Sequence, residues 1–221
     1  MKILELLTRY EAGERNFRGC ELEHAELANA TLNWIDLEKS DLESGDFRQA
    51  SLVGAGLACA NLEKANFQGA NLMGADLRQA NLQGANLRDA VLFRADLRGA
   101  FLGGADLSGA DLGQVDGRNA DLGHAVLIGA TLHEAKMTGA NFVRACLHRA
   151  QLRLADLSAA NMRLADLREA DLRNCYMNDV ILDDANLAGA NLEGSTLIQV
   201  LGDKNEADAG NGLASPVCEI R

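Results

Sequence analysis

Proline and aromatic side chains are what this sequence has least of. Pro216 is the only proline in 221 residues, and Phe, Trp and Tyr together make up 4%. A core built on large rings is therefore excluded. With 48% hydrophobic residues the chain still has the means to bury one, but it must be made of leucine and alanine. That hydrophobic fraction also argues against disorder, which requires low hydrophobicity. Basic residues are outnumbered: 21 Lys and Arg face 32 Asp and Glu, a formal charge of −11. Phosphate-rich partners are bound through Lys and Arg, so nucleic acid and anionic membranes are both disfavoured. Nowhere does an apolar run approach the roughly 18 residues that cross a bilayer. The opening stretch is broken by Glu5 and Arg9, so it does not make a signal-peptide core. Five cysteines, an odd number without metal-like spacing, point to a reduced, cytoplasmic protein.

What the sequence does have is a period. From Phe17 to Leu197, steps of five visit 37 positions, and 29 of them are leucine. Four are phenylalanine (Phe17, Phe47, Phe67, Phe142) and three are methionine (Met137, Met162, Met177); Gly117 is the single exception. Two residues before these positions, from Leu22 onward, stands alanine in 28 of 36 cases. The residue between is Asp or Asn in 22 of 37. A helix cannot use this pattern, because a step of five rotates each leucine by roughly 140° and spreads the apolar residues around the cylinder. An extended chain can: the alanine and the leucine point one way and the residue between them the other. Each unit reads as a very short strand followed by a two-residue corner, where the frequent glycine suits turn dihedrals. Such a strand buries nothing alone, so the units must stack into a solenoid around a column of leucine and alanine.

A second period, of 20, sets the number of units per coil. Asp76/Arg78, Asp96/Arg98 and Asp116/Arg118 recur at that spacing, Phe47 precedes Phe67 by it, and Met137 follows Gly117 by it. Four units per coil give about nine coils and a rod on the order of 45 Å long, at roughly 4.8 Å per coil.

The pattern as it stands in Ala70-Asn71-Leu72-Met73-Gly74 and Ala75-Asp76-Leu77 resembles the pentapeptide-repeat family over residues 15–199. The resemblance implies an all-β fold, a right-handed quadrilateral β-helix with leucine at the centre of each face. Glu5-Leu6-Leu7, Arg9-Tyr10 and Ala12-Gly13-Glu14-Arg15-Asn16-Phe17 are similar to the capping start of cyanobacterial members, among them a regulator of heterocyst formation. Ile3, Leu6, Leu7 and Tyr10 fall on one helical face and Gly13 can end the helix. This short N-terminal helix is expected to cover the open strand edges of the first coil. Three segments are thus expected: a capping helix over 1–14, the repeats over 15–200, and a mobile tail over 201–221.

Nothing catalytic converges in the pattern. His24 and His124 share a column on a 20-residue coil but stand five coils, roughly 24 Å, apart. The Asp and Asn residues lack the alternate-position carboxylates and closing Glu of an EF-hand loop. Gly103-Gly104 does not lead into a phosphate-cradling helix. Cys20 and Cys175 sit at the small inward position, as packing residues; Cys59 and Cys146 point outward, and Cys218 lies in the tail. No metal, cofactor or catalytic residue is expected, and the chain reads as a non-enzyme.

Two surface features stand out. Asp76, Arg78, Asp96, Arg98, Asp116 and Arg118 form a charged ladder, read as lateral ion pairing between coils or as a recognition stripe. Trp34, Val53, Met73, Val91 and Phe93 form an apolar strip on one face, at positions that are normally polar, and are the candidate protein-binding surface. The expected function is a regulatory module binding one protein partner, in the manner of the cyanobacterial differentiation regulators the start resembles. The resemblance also implies an alternative, an acidic DNA mimic of the quinolone-resistance kind that binds a type II topoisomerase. Against it stand the lack of an apolar C-terminal helix and of loops breaking the repeat, and the arginines Arg144, Arg149, Arg153, Arg163, Arg168 and Arg173 in the later coils. The chain is expected to be a monomer, or a weak homodimer through its uncapped C-terminal end.

Overall fold

The computed structural model describes residues 1–197. One helix, α1 (Ile3–Glu11), precedes a succession of five-residue units that continues to Ser195. Every unit bridges in parallel to the unit 20 residues later, from Asn16↔Asp36 to Asp171↔Asn191. Four units therefore make one coil, as the 20-residue echoes predict.

Each pairing is a one-residue bridge, and no longer strand forms among the described residues. The sequence reading expected short strands. Two of every five residues go into the corner, which leaves too little extended chain for a longer ladder. Most backbone groups are nevertheless engaged. In the unit around Leu72, Asn71 N–H donates back to Ala50 O (2.8 Å), while Leu72 and Gly74 donate forward to Val91 O (2.7 Å) and Phe93 O (3.0 Å). Ala75 N–H closes the turn on Leu72 O at 3.0 Å. The third residue of that turn has positive φ in every unit from Gly19 to Gly194, between 54° and 74°. A type II turn requires this conformation, which glycine adopts without steric cost. Yet 24 of these corners hold another residue, Trp34, Leu154 and Leu164 among them.

The fifth N–H explains the Asp and Asn residues. In the unit above, Met73 N–H donates to Asn71 Oδ1 at 3.1 Å. The same bond, from the residue after the leucine to the side chain before it, recurs at Asp41 (3.1 Å), Asp111 (2.9 Å) and Asn191 (3.0 Å). An Asx side chain thus substitutes for the partner that the bent backbone cannot supply. All 22 Asp and Asn residues at this position make it.

Inside, the leucine frame points inward and is buried from Phe17 to Met177. Phe47 and Phe67 stack on successive coils, centroids 4.8 Å apart and planes 8° from parallel. Gly45 makes room for them: a Cβ there would lie 2.7 Å from Phe47 Cε2. Ser40 takes an alanine position yet stays satisfied, donating to Phe17 O and accepting from Cys20 N–H, both at 3.1 Å. Helix α1 covers the first coil as expected. Leu6 is fully buried, Ile3, Leu7 and Tyr10 pack on the core, and Tyr10 donates to Asn33 O at 3.0 Å. Beyond the helix, Gly13 takes φ +96 and Glu14 N–H returns to Arg9 O at 3.0 Å. At the other end Leu182, Leu187 and Leu192 are only partly buried. The tail expected over 201–221 lies outside the described residues.

Candidate protein-binding face

The 20-residue coil sorts the outward residues onto four faces. The first face carries the residues around Leu37, Leu57 and Leu77, the second those around Leu42, Leu62 and Leu82. The third is centred on Phe47, Phe67 and Leu87, the fourth on Leu52, Leu72 and Leu92. Trp34, Val53, Met73, Val91 and Phe93 all fall on the fourth face, or at its corner.

Trp34 is 67% exposed and Met73 41%; Val53, Val91 and Phe93 are half-buried. The two rings lie flat along the axis. The indole of Trp34 covers Gly54 of the next coil, so that a Cβ at Gly54 would collide with it. Phe93 covers Gly113 in the same way, 3.0 Å from where a Cβ would be. Arg94 extends its guanidinium over the Phe93 ring, 5.1 Å from the centroid, an arrangement favoured by the ring's negative face. Gly74, beyond Gly54 on the same corner, would meet nothing with a Cβ. The result is a low apolar surface with a glycine floor between Trp34 and Arg94.

Asn33 was not singled out in the sequence, and it holds this surface to the fold. Its Oδ1 accepts from Ser51 Oγ (2.7 Å) and from Val53 N–H (3.0 Å), standing in for the Asx side chain that the Ser51 unit lacks. Its carbonyl receives the Tyr10 hydroxyl. An Asn followed by a serine-led unit 18 residues later was the available signal. Glycine 20 residues after an aromatic residue was the signal for the two ring platforms.

Electrostatically this face differs from its neighbours. From Thr31 to Arg94 its outward positions hold no carboxylate, whereas the second face over the same coils carries Glu21, Glu23, Asp41, Glu43 and Glu63.

The charged ladder on the first face is built differently from the lateral pairing expected. Each arginine forks onto the aspartate of its own unit: Arg78 Nε to Asp76 Oδ1 (2.8 Å) and Nη2 to Oδ2 (2.6 Å), and likewise Arg98 on Asp96 and Arg118 on Asp116. The contacts between coils, Arg78 to Asp96 and Arg98 to Asp116, are 3.8 Å. The residues before and after a leucine both point outward on one short segment, so the nearest partner is in the same unit. Identical forks join Arg48 to Asp46, Arg168 to Asp166 and Arg173 to Asp171 on the third and fourth faces. The motif belongs to the repeat rather than to one face. Hydrogen bonding by Arg78 and Arg118 holds the carboxyls of Asp76 and Asp116 below the usual range. Of the later arginines, Arg149 and Arg163 pair with Glu169 and Asp183.

Among the described residues no group of three or more His, Cys, Asp or Glu side chains could hold a metal ion. His148 Nδ1 lies 3.0 Å from Arg168 O, and His133 Nε2 3.2 Å from Glu134. Cys175 is buried, donates to Leu152 O at 2.9 Å, and burial pushes its thiol up to about 12, the environment of a packing residue. Cys59 is exposed, with Gln79 Oε1 3.5 Å from its sulfur. No helix among the described residues is long and apolar enough to cross a membrane.

The family model described as pentapeptide repeats matches in eight copies, over residues 14–43, 32–69, 70–109, 105–144, 120–158 and 160–199. Among solved structures, HetL of the cyanobacterium Nostoc sp. strain PCC 7120, described as involved in heterocyst differentiation regulation, is 34% identical. That match covers 88% of this chain and 94% of HetL, with a TM-score of 0.33. A second Nostoc PCC 7120 pentapeptide repeat protein, alr5209, is 38% identical over 48% of this chain and 80% of its own, at a TM-score of 0.43. QnrB1, a plasmid-mediated fluoroquinolone resistance protein, shares the fold at 20% identity, covering 85% of this chain and 96% of its own with a TM-score of 0.50. The curated proteins contain no match.

Proposed function

The chain belongs to the pentapeptide-repeat family, and from that premise we propose that it is a non-catalytic module that docks a protein partner through the apolar part of its fourth face. The family supports a right-handed quadrilateral β-helix, in keeping with the 20-residue bridging. The observation that carries the functional reading is the gathering of Trp34, Val53, Met73, Val91 and Phe93 on one face whose outward positions hold no carboxylate from Thr31 to Arg94. Bridging holds these side chains at fixed spacings of about 4.8 Å, so they lose little freedom when a partner arrives. Aromatic residues and methionine are enriched where interfaces are driest, and a few such anchors dominate binding energy. A regulatory role of the kind described for HetL is the finer form of the proposal, and rests on the 34% identity alone. The topoisomerase alternative needs a rod of bare carboxylates. Here many carboxylates are already forked by arginine, which favours the docking reading.

Met73→Ser combined with Phe93→Ser tests the proposal. Neither side chain enters the core, so the fold is expected to persist. Capture of the partner from the native host should weaken tenfold or more, about 1.4 kcal/mol. Undiminished capture would remove this surface from consideration, and inhibition of gyrase supercoiling by the wild-type chain would move the function to the alternative.

A further inference from the structure

Two arginines on the fourth face have no carboxylate within ion-pair distance among the described residues. Arg94 bonds only Gln114 Oε1 (2.7 Å) beyond its contact with Phe93. Arg153 is exposed and its side chain bonds no described residue. Asp171 feels the charge of Arg153, but both its oxygens are held by Arg173. The other carboxylates nearby are also engaged. Asp111 caps Gly113 N–H, and Glu134 accepts from Gln114 Nε2 beside His133. In a chain of charge −11, uncompensated guanidinium groups are out of the ordinary.

The backbone supplies a second, independent observation. The N–H that an Asx side chain caps in 22 units has no acceptor among the described residues at Phe93, His133 and Arg153, because Val91, Thr131 and Gln151 stand where Asp or Asn would. Open N–H groups of this kind occur on other faces too, at Ala58, Gly103 and Ile128 for example. On the fourth face they coincide with the two arginines and continue the line of the apolar strip.

We propose that the partner docked on this face is an acidic protein segment, its apolar side chains on Val53, Met73 and Phe93 and its carboxylates on Arg94 and Arg153. This rests on the docking reading above and names the chemistry of what docks. Guanidinium and carboxylate match in fork geometry, and the open N–H groups are donors for the same oxygens. Arg94 and Arg153 stand three coils apart, roughly 14 Å at about 4.8 Å per coil, which an extended segment spans in about four residues. Beside the apolar strip, Glu43 and Glu63 on the second face repel such a segment, so charge there favours the fourth face.

The probe is a library of random 12-residue peptides displayed on phage, selected on the full chain. Enriched peptides should carry two carboxylates about four residues apart, next to apolar residues. Synthetic copies should lose tenfold or more in affinity for the Arg94→Gln/Arg153→Gln variant, and as much for Met73→Ser/Phe93→Ser. Peptides that need Met73 and Phe93 but neither arginine would overturn the acidic partner and leave the docking surface standing. Peptides indifferent to Met73 and Phe93 would overturn the docking surface itself. A selection that enriches nothing, or enriches basic peptides, overturns the proposal.

Discussion

An Asp or Asn before a leucine contributes twice, bridging to the next coil through its backbone and capping a backbone N–H through its side chain. A hydrogen bond of this kind is worth about 1 kcal/mol net. Asn71→Ala should therefore lower stability by about that amount in urea unfolding, and Asn71→Asp should change little. Conversely, Val126→Asn places an acceptor two residues before Ile128 N–H and should raise stability by a comparable amount; a fall would mean that the capping bond contributes nothing there. Gly117 is the other informative position. Met137 Sδ occupies the place a Cβ would take, so Gly117→Leu should overpack and cost about 1–3 kcal/mol. A rise in thermal midpoint would show that the space is free. The leucine frame and the hole at Gly117 were legible in the sequence because a period of five is unambiguous. The capping role of Asp and Asn was not, since an outward polar residue looks the same whether it caps a backbone N–H or merely meets water.

Within one five-residue element, the Asp-x-Arg forks make a prediction about acid. The carboxyls of Asp76 and Asp116 titrate below the ordinary value of 3.8 in the folded chain, chiefly through hydrogen bonds from Arg78 and Arg118. A depressed folded value means stability that is fully present above the unfolded value and lost as pH falls through the folded one. Acid unfolding should therefore set in below about pH 3.8, and Arg78→Gln with Arg118→Gln should move its midpoint upward, as followed by circular dichroism. An unmoved midpoint would mean that these half-exposed pairs are screened into irrelevance. The sequence reading put these residues on one face and offered pairing across coils. Spacing of 20 shows which units are neighbours; it does not show that two outward residues of one unit are nearer still. The platforms under Trp34 and Phe93 escaped for a related reason, because Gly54 and Gly113 are remote in sequence and have no side chain to draw notice.

Across the whole molecule, four units per coil turn a nearly uniform sequence into four different surfaces. The period assigned Trp34, Val53, Met73, Val91 and Phe93 to one of them, and the bridging pattern places them there. Their exposure, and the lack of a carboxylate at the outward positions of that face from Thr31 to Arg94, set it apart from the second face over the same coils. The most direct test compares capture of the partner by two double variants of the same fold: Met73→Ser/Phe93→Ser on the fourth face and Glu63→Ser/Gln83→Ser on the second. A fourth-face docking site predicts at least a tenfold loss for the first variant and wild-type capture for the second. Equal capture by both, or loss only in the second, would contradict it.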